Sequence, residues 1–374
     1  MKSDRGAALA LISAAVLGLF LANSPVGPTL LAILDLHIGP SSIGLDLSVE
    51  HWIKDLFLAI FFLVAGLELK YELRLGVLSK PATALVPTLA ALGGVLLPAL
   101  IYVAFNLGTE TIKGWPIPTA TDIAFALGVL AIFGRGLPKE ARIFLLALAI
   151  FDDLIAILII AIFFTTGLQV QWLLVAAVTV AALMWSERLS KAPHLLIRTV
   201  AFVAVWYAVL QSGIHPTIAG VAVGLAIPAK RAHSLMSKIQ PATNTFILPL
   251  FAFSAVAIVL PEFTSVSAAF IGITLALPIG KTLGIALFAI VANAVAKEDA
   301  KLRLAGMDFV ALGAIAGVGF TVSLLMAQLA FADKPQILAE ATIAVVIGSL
   351  VSMAFGAIIA QRRGKHYQRL ARNS

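Results

Sequence analysis

The sequence predicts an all-α polytopic membrane protein of about 12 transmembrane helices, and three observations carry that prediction. Of 374 residues, 61% belong to the hydrophobic set and mean hydropathy is +1.04. Only 12% are charged, about half the ~25% typical of a soluble domain and too few to cover the surface of a soluble fold this long. The apolar residues also fall in runs of spanning length, each needing about 20 residues. There are no cysteines, which excludes disulfides, thiolate metal sites and cysteine nucleophiles.

Apolar stretches run at 7–22, 55–69, 84–106, 116–133, 142–165, 171–186, 195–211, 213–227, 242–260, 267–296, 308–331 and 336–360. The connections between them are short, so residues 1–374 read as a single transmembrane domain with no soluble part. An even number of spans puts both termini on one side. With a cytoplasmic N-terminus, 22 of the 26 Lys and Arg residues fall in inside segments, from Lys2 and Arg5 to Arg372. They include Lys191, Lys297 and Lys301; outside segments hold only Lys54, Lys113 and Lys334, and Lys281 stays within a span. That asymmetry follows the positive-inside rule and supports the span count and the orientation together. Net charge +7 thereby becomes a map of the cytoplasmic face, and no nucleic-acid partner is expected. Read as a cleaved signal peptide, the first span would leave an odd count and spoil the asymmetry. The basic tail at 361–372 is expected to anchor topology, with anionic lipid as the alternative ligand.

The first outside loop carries a strand signal. Apolar and small or polar residues alternate from Ile43 to Val49, the period of a β-strand. The turn cluster Gly39–Pro40–Ser41–Ser42 precedes it, with Leu36–His37–Ile38 as partner, so a small extracytoplasmic β-hairpin is expected.

Four ionisable residues lie near the centres of spans: Asp122, which falls in the broken span 116–133, Asp152, Asp153 and Lys281. Each costs about 2.5–3.5 kcal/mol on insertion scales, so an intramembrane charge marks a functional site by default. A buried ion pair that only fixes packing accounts for one Asp and one Lys, leaving two carboxylates over. Asp152 and Asp153 point about 100° apart on a helix, so one can face Lys281 while the other faces a water-filled cavity. A carboxylate in a dry cavity is poised between a proton and a hard cation, which prefers oxygen ligands. Competition of that kind suffices for cation/proton exchange.

Two spans are interrupted. Pro116, Pro118, Thr119, Thr121 and Asp122 break the first half of 116–133, and Gly313, Gly317, Gly319 and Thr321 break the middle of 308–331. Each is the central member of a three-span group, 84–165 and 267–360. Inverted three-span repeats with broken, crossing central helices form a transporter signature. Asp122 would neutralise the positive N-terminal helix ends at the break and Lys281 the negative C-terminal ends.

Several segments resemble NhaA-type sodium/proton antiporters, themselves a type case of that signature. They are Ala120–Gly128, Ala149–Leu154, Gly280–Ile285, Gly66–Lys70, Ser212–His215 and Gly317–Thr321, in the family's order over nearly the whole chain. The resemblance implies an electrogenic inner-membrane antiporter that expels Na+ or Li+ in exchange for protons, acting in pH homeostasis without a cofactor. Asp153 would be the main cation carboxylate, and Asp152 would pair with Lys281 or share in transient Na+/Li+ binding and proton release. Thr121 and Asp122 would sit where the broken helices cross. Glu68, with Glu72, would line a cytoplasmic funnel, and His215 would take part in the pH response. As an i,i+4 pair at a span end, Glu68 and Glu72 read equally as a solvated helix end, and His215 before Pro216 as a helix cap. Partners implied are the lipid bilayer, Na+, Li+, protons and a second copy, through a homodimer at the 36–49 hairpin. One departure concerns pH: family members place acidic residues in the loop before span nine, whereas Ala229–Pro241 contains His233 but no Asp or Glu. Competing readings are a Na+-coupled symporter of an organic anion on the same fold, which wants a larger polar cavity, and a sensor, which leaves the four charges unused.

Overall fold

Helix accounts for 81% of the chain, as expected where no water is at hand to satisfy the backbone. The computed structural model describes residues 2–165, 167–189, 193–261, 266–296 and 302–373. Lys191, Lys297 and Lys301, assigned above to inside segments, lie outside the described residues. In chain order the first elements are α1 (Lys2–Ala22), α2 (Gly27–Leu34), β1 (His37–Ile38), β2 (Leu47–Ser48), α3 (Val49–Trp52) and α4 (Leu58–Arg74). Next come α5 (Pro81–Asn106), α6 (Ile123–Phe133), α7 (Lys139–Phe163), α8 (Val170–Ser186), α9 (His194–Ser212) and α10 (Thr217–Ala226). The remainder are α11 (Ala229–Ala242), α12 (Leu248–Val256), α13 (Ala268–Leu275), α14 (Lys281–Val295), α15 (Gly306–Ala316), α16 (Phe320–Ala330) and α17 (Pro335–Asn373). Single π-turns join α3 to α4, α11 to α12 and α13 to α14, the last over Ala276–Gly280.

The chain divides into two compact units. Unit 1 comprises Met1–Ile12, Lys80–Ala156 and Val259–Ser374. Its core draws Val86 from α5, Val129 from α6, Phe144 and Leu148 from α7, Ile285 from α14 and Phe309 and Leu312 from α15. Gly93 of α5 and Gly284 of α14 each face the other's backbone so closely that a Cβ at either would strike a carbonyl. Small residues of this kind let membrane helices approach backbone to backbone, and here they hold α14, and with it Lys281, against α5.

Unit 2 comprises Ser13–Ser79 and Ile157–Ile258. Leu63 and Leu67 of α4, Leu183 of α8, Val205 and Trp206 of α9 and Val223 of α10 form its core. In its hairpin, His37 pairs with Ser48 and Ile38 with Leu47 in antiparallel register. Trp52 Nε1 donates to Ile38 O at 2.9 Å, and Tyr207 Oη and Gln211 Nε2 donate to Ile43 O at 2.9 and 3.1 Å.

Two expectations need correction. The strand expected over 43–49 forms only at Leu47–Ser48. Ser41–Ile43 is a 3-10 turn ended by Gly44 at φ +70°, and Ser48 already caps α3 by accepting from His51 N. A helix, α2, also follows the first span where a loop is expected; Pro28 at its start suits a first helical turn, and the pair bends by 114°. Among the described residues, six helices are long and apolar enough to cross a bilayer, or up to nine counting each bent pair once. Segments 55–69, 171–186 and 213–227 form α4, α8 and α10 of 17, 17 and 10 residues, each shorter than the ~20 a span takes.

Candidate functional site

The two interrupted segments meet inside unit 1. Ahead of α6, residues Ile117–Thr119 make a 3-10 turn, and the segment bends by 40°; α15 and α16 bend by 51° across Gly317–Gly319. Asp122 caps α6, its Oδ1 accepting from Phe125 N at 3.2 Å. Its Oδ2 accepts from Thr321 Oγ1 at 2.7 Å and Thr321 N at 3.2 Å, in the first turn of α16. One carboxylate therefore faces the N-terminal ends of two helices, where negative charge is favoured. The outgoing end of α15 is met by other groups: Thr121 Oγ1 donates to Ala316 O at 2.8 Å and Asp122 N to Val318 O at 2.7 Å. Lys281, for which both such an end and Asp152 are candidate partners, is paired with Asp152.

That pair is buried and one-sided. Lys281 Nζ lies 2.6 Å from Asp152 Oδ2, with side-chain exposures of 0% and 1%. Asp152 Oδ1 is buried without a hydrogen-bond partner among the described residues, although the Thr121 hydroxyl neighbours this carboxylate. Asp153, the next residue on α7, is also buried and within electrostatic range of Lys281. Thr121 thus links the helix crossing to the ion pair. Asp122, Asp152, Asp153, Lys281 and Thr121 are all buried members of unit 1. A carboxylate with one satisfied and one open oxygen, beside a second carboxylate, can take a proton or a hard cation without dismantling its existing bond.

The remaining sequence-predicted residues fall in unit 2 and do not form one cluster. His215, between α9 and α10, holds Thr217 Oγ1 through Nδ1 at 2.8 Å, with Nε2 3.6 Å from Asp55 Oδ1. Glu68 and Glu72 stand near the far end of α4, 13 or more residues along the chain from Asp55, or about 20 Å of helix.

Further buried acids and one threonine join the residues that the sequence points to. Thr321 was seen as a helix interruption and is a ligand of Asp122. Asp55 and Asp308 were read as the first residues of apolar runs and are 6% and 0% exposed; an acid opening an apolar run was the available signal. Glu187 sits just beyond α8 and is also buried. Arg198 grips it with Nε on Oε1 at 2.7 Å and Nη2 on Oε2 at 2.9 Å, and Arg231 Nη1 adds 2.7 Å to Oε2. Burial alone would raise this carboxyl, but hydrogen bonds from Arg198 and Arg231 outweigh it and hold Glu187 below the usual carboxylate range.

Comparison with known proteins places these residues in a family. A family model described as Na+/H+ antiporter 1 matches residues 1–360. A relative from Clavibacter michiganensis, named Na(+)/H(+) antiporter NhaA 2, is 46% identical over 99% of this chain and 93% of its own. Another, from Mycolicibacterium smegmatis, is named Na(+)/H(+) antiporter NhaA and is 40% identical over 98% of this chain and 87% of its own. Among solved structures, the sodium proton antiporter MjNhaP1 from Methanocaldococcus jannaschii aligns at TM-score 0.54 and 18% identity over 96% of this chain and 97% of that one, a likeness of fold. With near-complete coverage by sequence relatives, this multi-pass membrane protein belongs to the Na+/H+ antiporter 1 family.

Proposed function

We propose that the protein exchanges Na+ or Li+ for protons across the bacterial inner membrane, with both ions competing for the buried carboxylates of unit 1. Asp152 held by Lys281, with one oxygen open and Asp153 beside it, is the observation that carries this reading. Deprotonated Asp153 takes the cation from the cytoplasm with Asp152 sharing in its coordination; rearrangement of the helices exposes the site outside, the cation leaves and protons return. Moving more protons than cations makes the cycle electrogenic. Asp122 and Thr121 hold the crossing at which the half-helices pivot, and Lys281 balances the carboxylate charge between the two loaded states. Glu68 and Glu72 belong to the cytoplasmic approach, and His215 to the response to pH.

The same reading takes residues 1–374 as one antiporter domain of twelve spans, with inverted repeats over 84–165 and 267–360. Both termini face the cytoplasm, in line with the distribution of Lys and Arg. The hairpin lies outside and joins two copies; its exposed Leu36, Ile38 and Ile43 supply an apolar surface for that contact. No resident cofactor is required, since the ions themselves are the cargo. A symporter of an organic anion finds no support in the relatives' names.

Everted vesicles carrying the protein test this directly. Added Na+ or Li+ should collapse a respiration-driven pH gradient, and vesicles carrying Asp153→Asn should show no cation-dependent change. Persistence of the Na+ response in Asp153→Asn would remove Asp153 from the mechanism, and a wild-type protein inert to Na+, Li+ and K+ would remove antiport.

A further inference from the structure

Helix α17 is 39 residues long, about 58 Å at 1.5 Å per residue, against roughly 30 Å of bilayer hydrocarbon. Its last turns are therefore surplus to spanning, and they begin where the family match ends, at residue 360. They are nonetheless bound to unit 1 at two places. Asp308, fully buried near the start of α15, accepts from Arg363 Nε at 2.7 Å on Oδ1 and from Tyr367 Oη at 2.6 Å on Oδ2. Its Oδ2 also reaches back to Ala305 N at 2.8 Å, capping the helix, and the Arg363 guanidinium stacks 5.2 Å from the Tyr367 ring centre. Gly364, the residue after Arg363, is buried against the Arg135 carbonyl, so that a Cβ there would collide, and Gln368 Nε2 donates to the same carbonyl at 3.3 Å.

These two docking points have a shared geometry. The Arg135 turn follows the end of α6, whose beginning is capped by Asp122. Asp308 opens α15, whose end accepts from Thr121. Each half-helix has 11 residues, about 16 Å. Each runs from the crossing at one end to the α17 extension at the other. We propose that the extension is a brace that fixes the far ends of both half-helices at once and so sets the geometry of the crossing, with Asp308, Arg363 and Tyr367 as positioning residues for ion binding. A charge-assisted contact to a buried carboxylate is suited to this role, because it is directional and stronger than a neutral hydrogen bond.

The brace is tested in the full-length protein with Arg363→Ala and, should that variant fail to accumulate, Tyr367→Phe, which removes one hydroxyl. Amide hydrogen exchange in detergent micelles comes first and does not depend on antiport. Exchange should rise at residues 120–125 and 314–321, around the crossing, as well as in 361–373; a rise confined to 361–373 overturns the proposal. The second readout rests on the antiport reading: the apparent KM for Na+ in everted vesicles should rise at least three-fold, with Vmax per folded molecule within two-fold of wild type. An unchanged KM, whatever happens to yield or Vmax, means that the extension only stabilises the chain and overturns the positioning role. If wild-type vesicles show no exchange, antiport itself has failed and the hydrogen-exchange result alone decides the brace.

Discussion

Unit 1 buries the Asp152–Lys281 pair and unit 2 the Glu187 cluster, and these two are built on opposite plans. In unit 2, Glu187 has both oxygens occupied, by two arginines that stay charged at any physiological pH. Each oxygen is engaged by a fixed positive charge. In unit 1, Asp152 is bonded through one oxygen to a lysine and leaves the other oxygen open, with Asp153 adjoining. Lysine, unlike arginine, changes its protonation state when its surroundings change. A saturated cluster holds helices together, whereas an unsaturated one of titratable groups can load and unload an ion. Burial and charge alone do not separate a structural ion pair from a candidate transport site; on the proposed reading, the open oxygen of Asp152 is what sets the two clusters apart.

Breaking the unit 1 pair should have the largest effect. Lys281→Ala strands a buried carboxylate, at a cost of about 3–5 kcal/mol for one partner lost from a buried pair. Thermal unfolding in detergent should register that loss, and the pH dependence of exchange should move with it. If both stay at wild-type values, the Lys281–Asp152 pair has no part in the cycle. A smaller effect is expected at the crossing: Thr321→Val removes the hydroxyl bond to Asp122, worth about 1.5–3 kcal/mol for a hydrogen bond to a charged group, while keeping the backbone bond. It should weaken apparent Na+ affinity more than it lowers thermal stability; the reverse order would make the contact mere packing.

The smallest effect belongs to unit 2 and is a matter of acid. Because Glu187 is held below its ordinary 4.5 in the folded protein, its contribution to stability is complete above that value and is lost as pH falls through the folded one. Glu187→Gln should therefore lower the unfolding temperature at about pH 7, and that deficit should shrink progressively as pH falls below 4.5. Its apparent KM for Na+ should match wild type. A change in KM would give the saturated cluster a role in transport and erase the contrast.

The same contrast marks how far the sequence could be read. Asp122, Asp152, Asp153 and Lys281 stood out because charge is expensive in apolar spans, and the capping role expected for Asp122 is met at α6 and α16. The partners that complete the site were not legible in that way. Thr321 and Ala316 lie 199 and 195 residues from Asp122 and Thr121, and no local pattern encodes a contact of that separation. Asp308 and Asp55 escaped notice because a carboxylate beginning an apolar run looks like a solvated helix end until tertiary packing closes over it. For the same reason the 43–49 alternation overstated the strand: Gly44 and the Ser48 cap impose turn and helix geometry that period alone does not reveal.

The most direct test of competition between ions at unit 1 is the number of protons released when Na+ binds. Isothermal titration of the purified protein in buffers of different ionisation enthalpy measures it without any transport. Wild type and Glu187→Gln should release protons on binding Na+ near neutral pH, and Asp153→Asn should neither bind Na+ nor release protons. Sodium binding without proton release in wild type, or unaltered binding and release in Asp153→Asn, would contradict competition at these carboxylates.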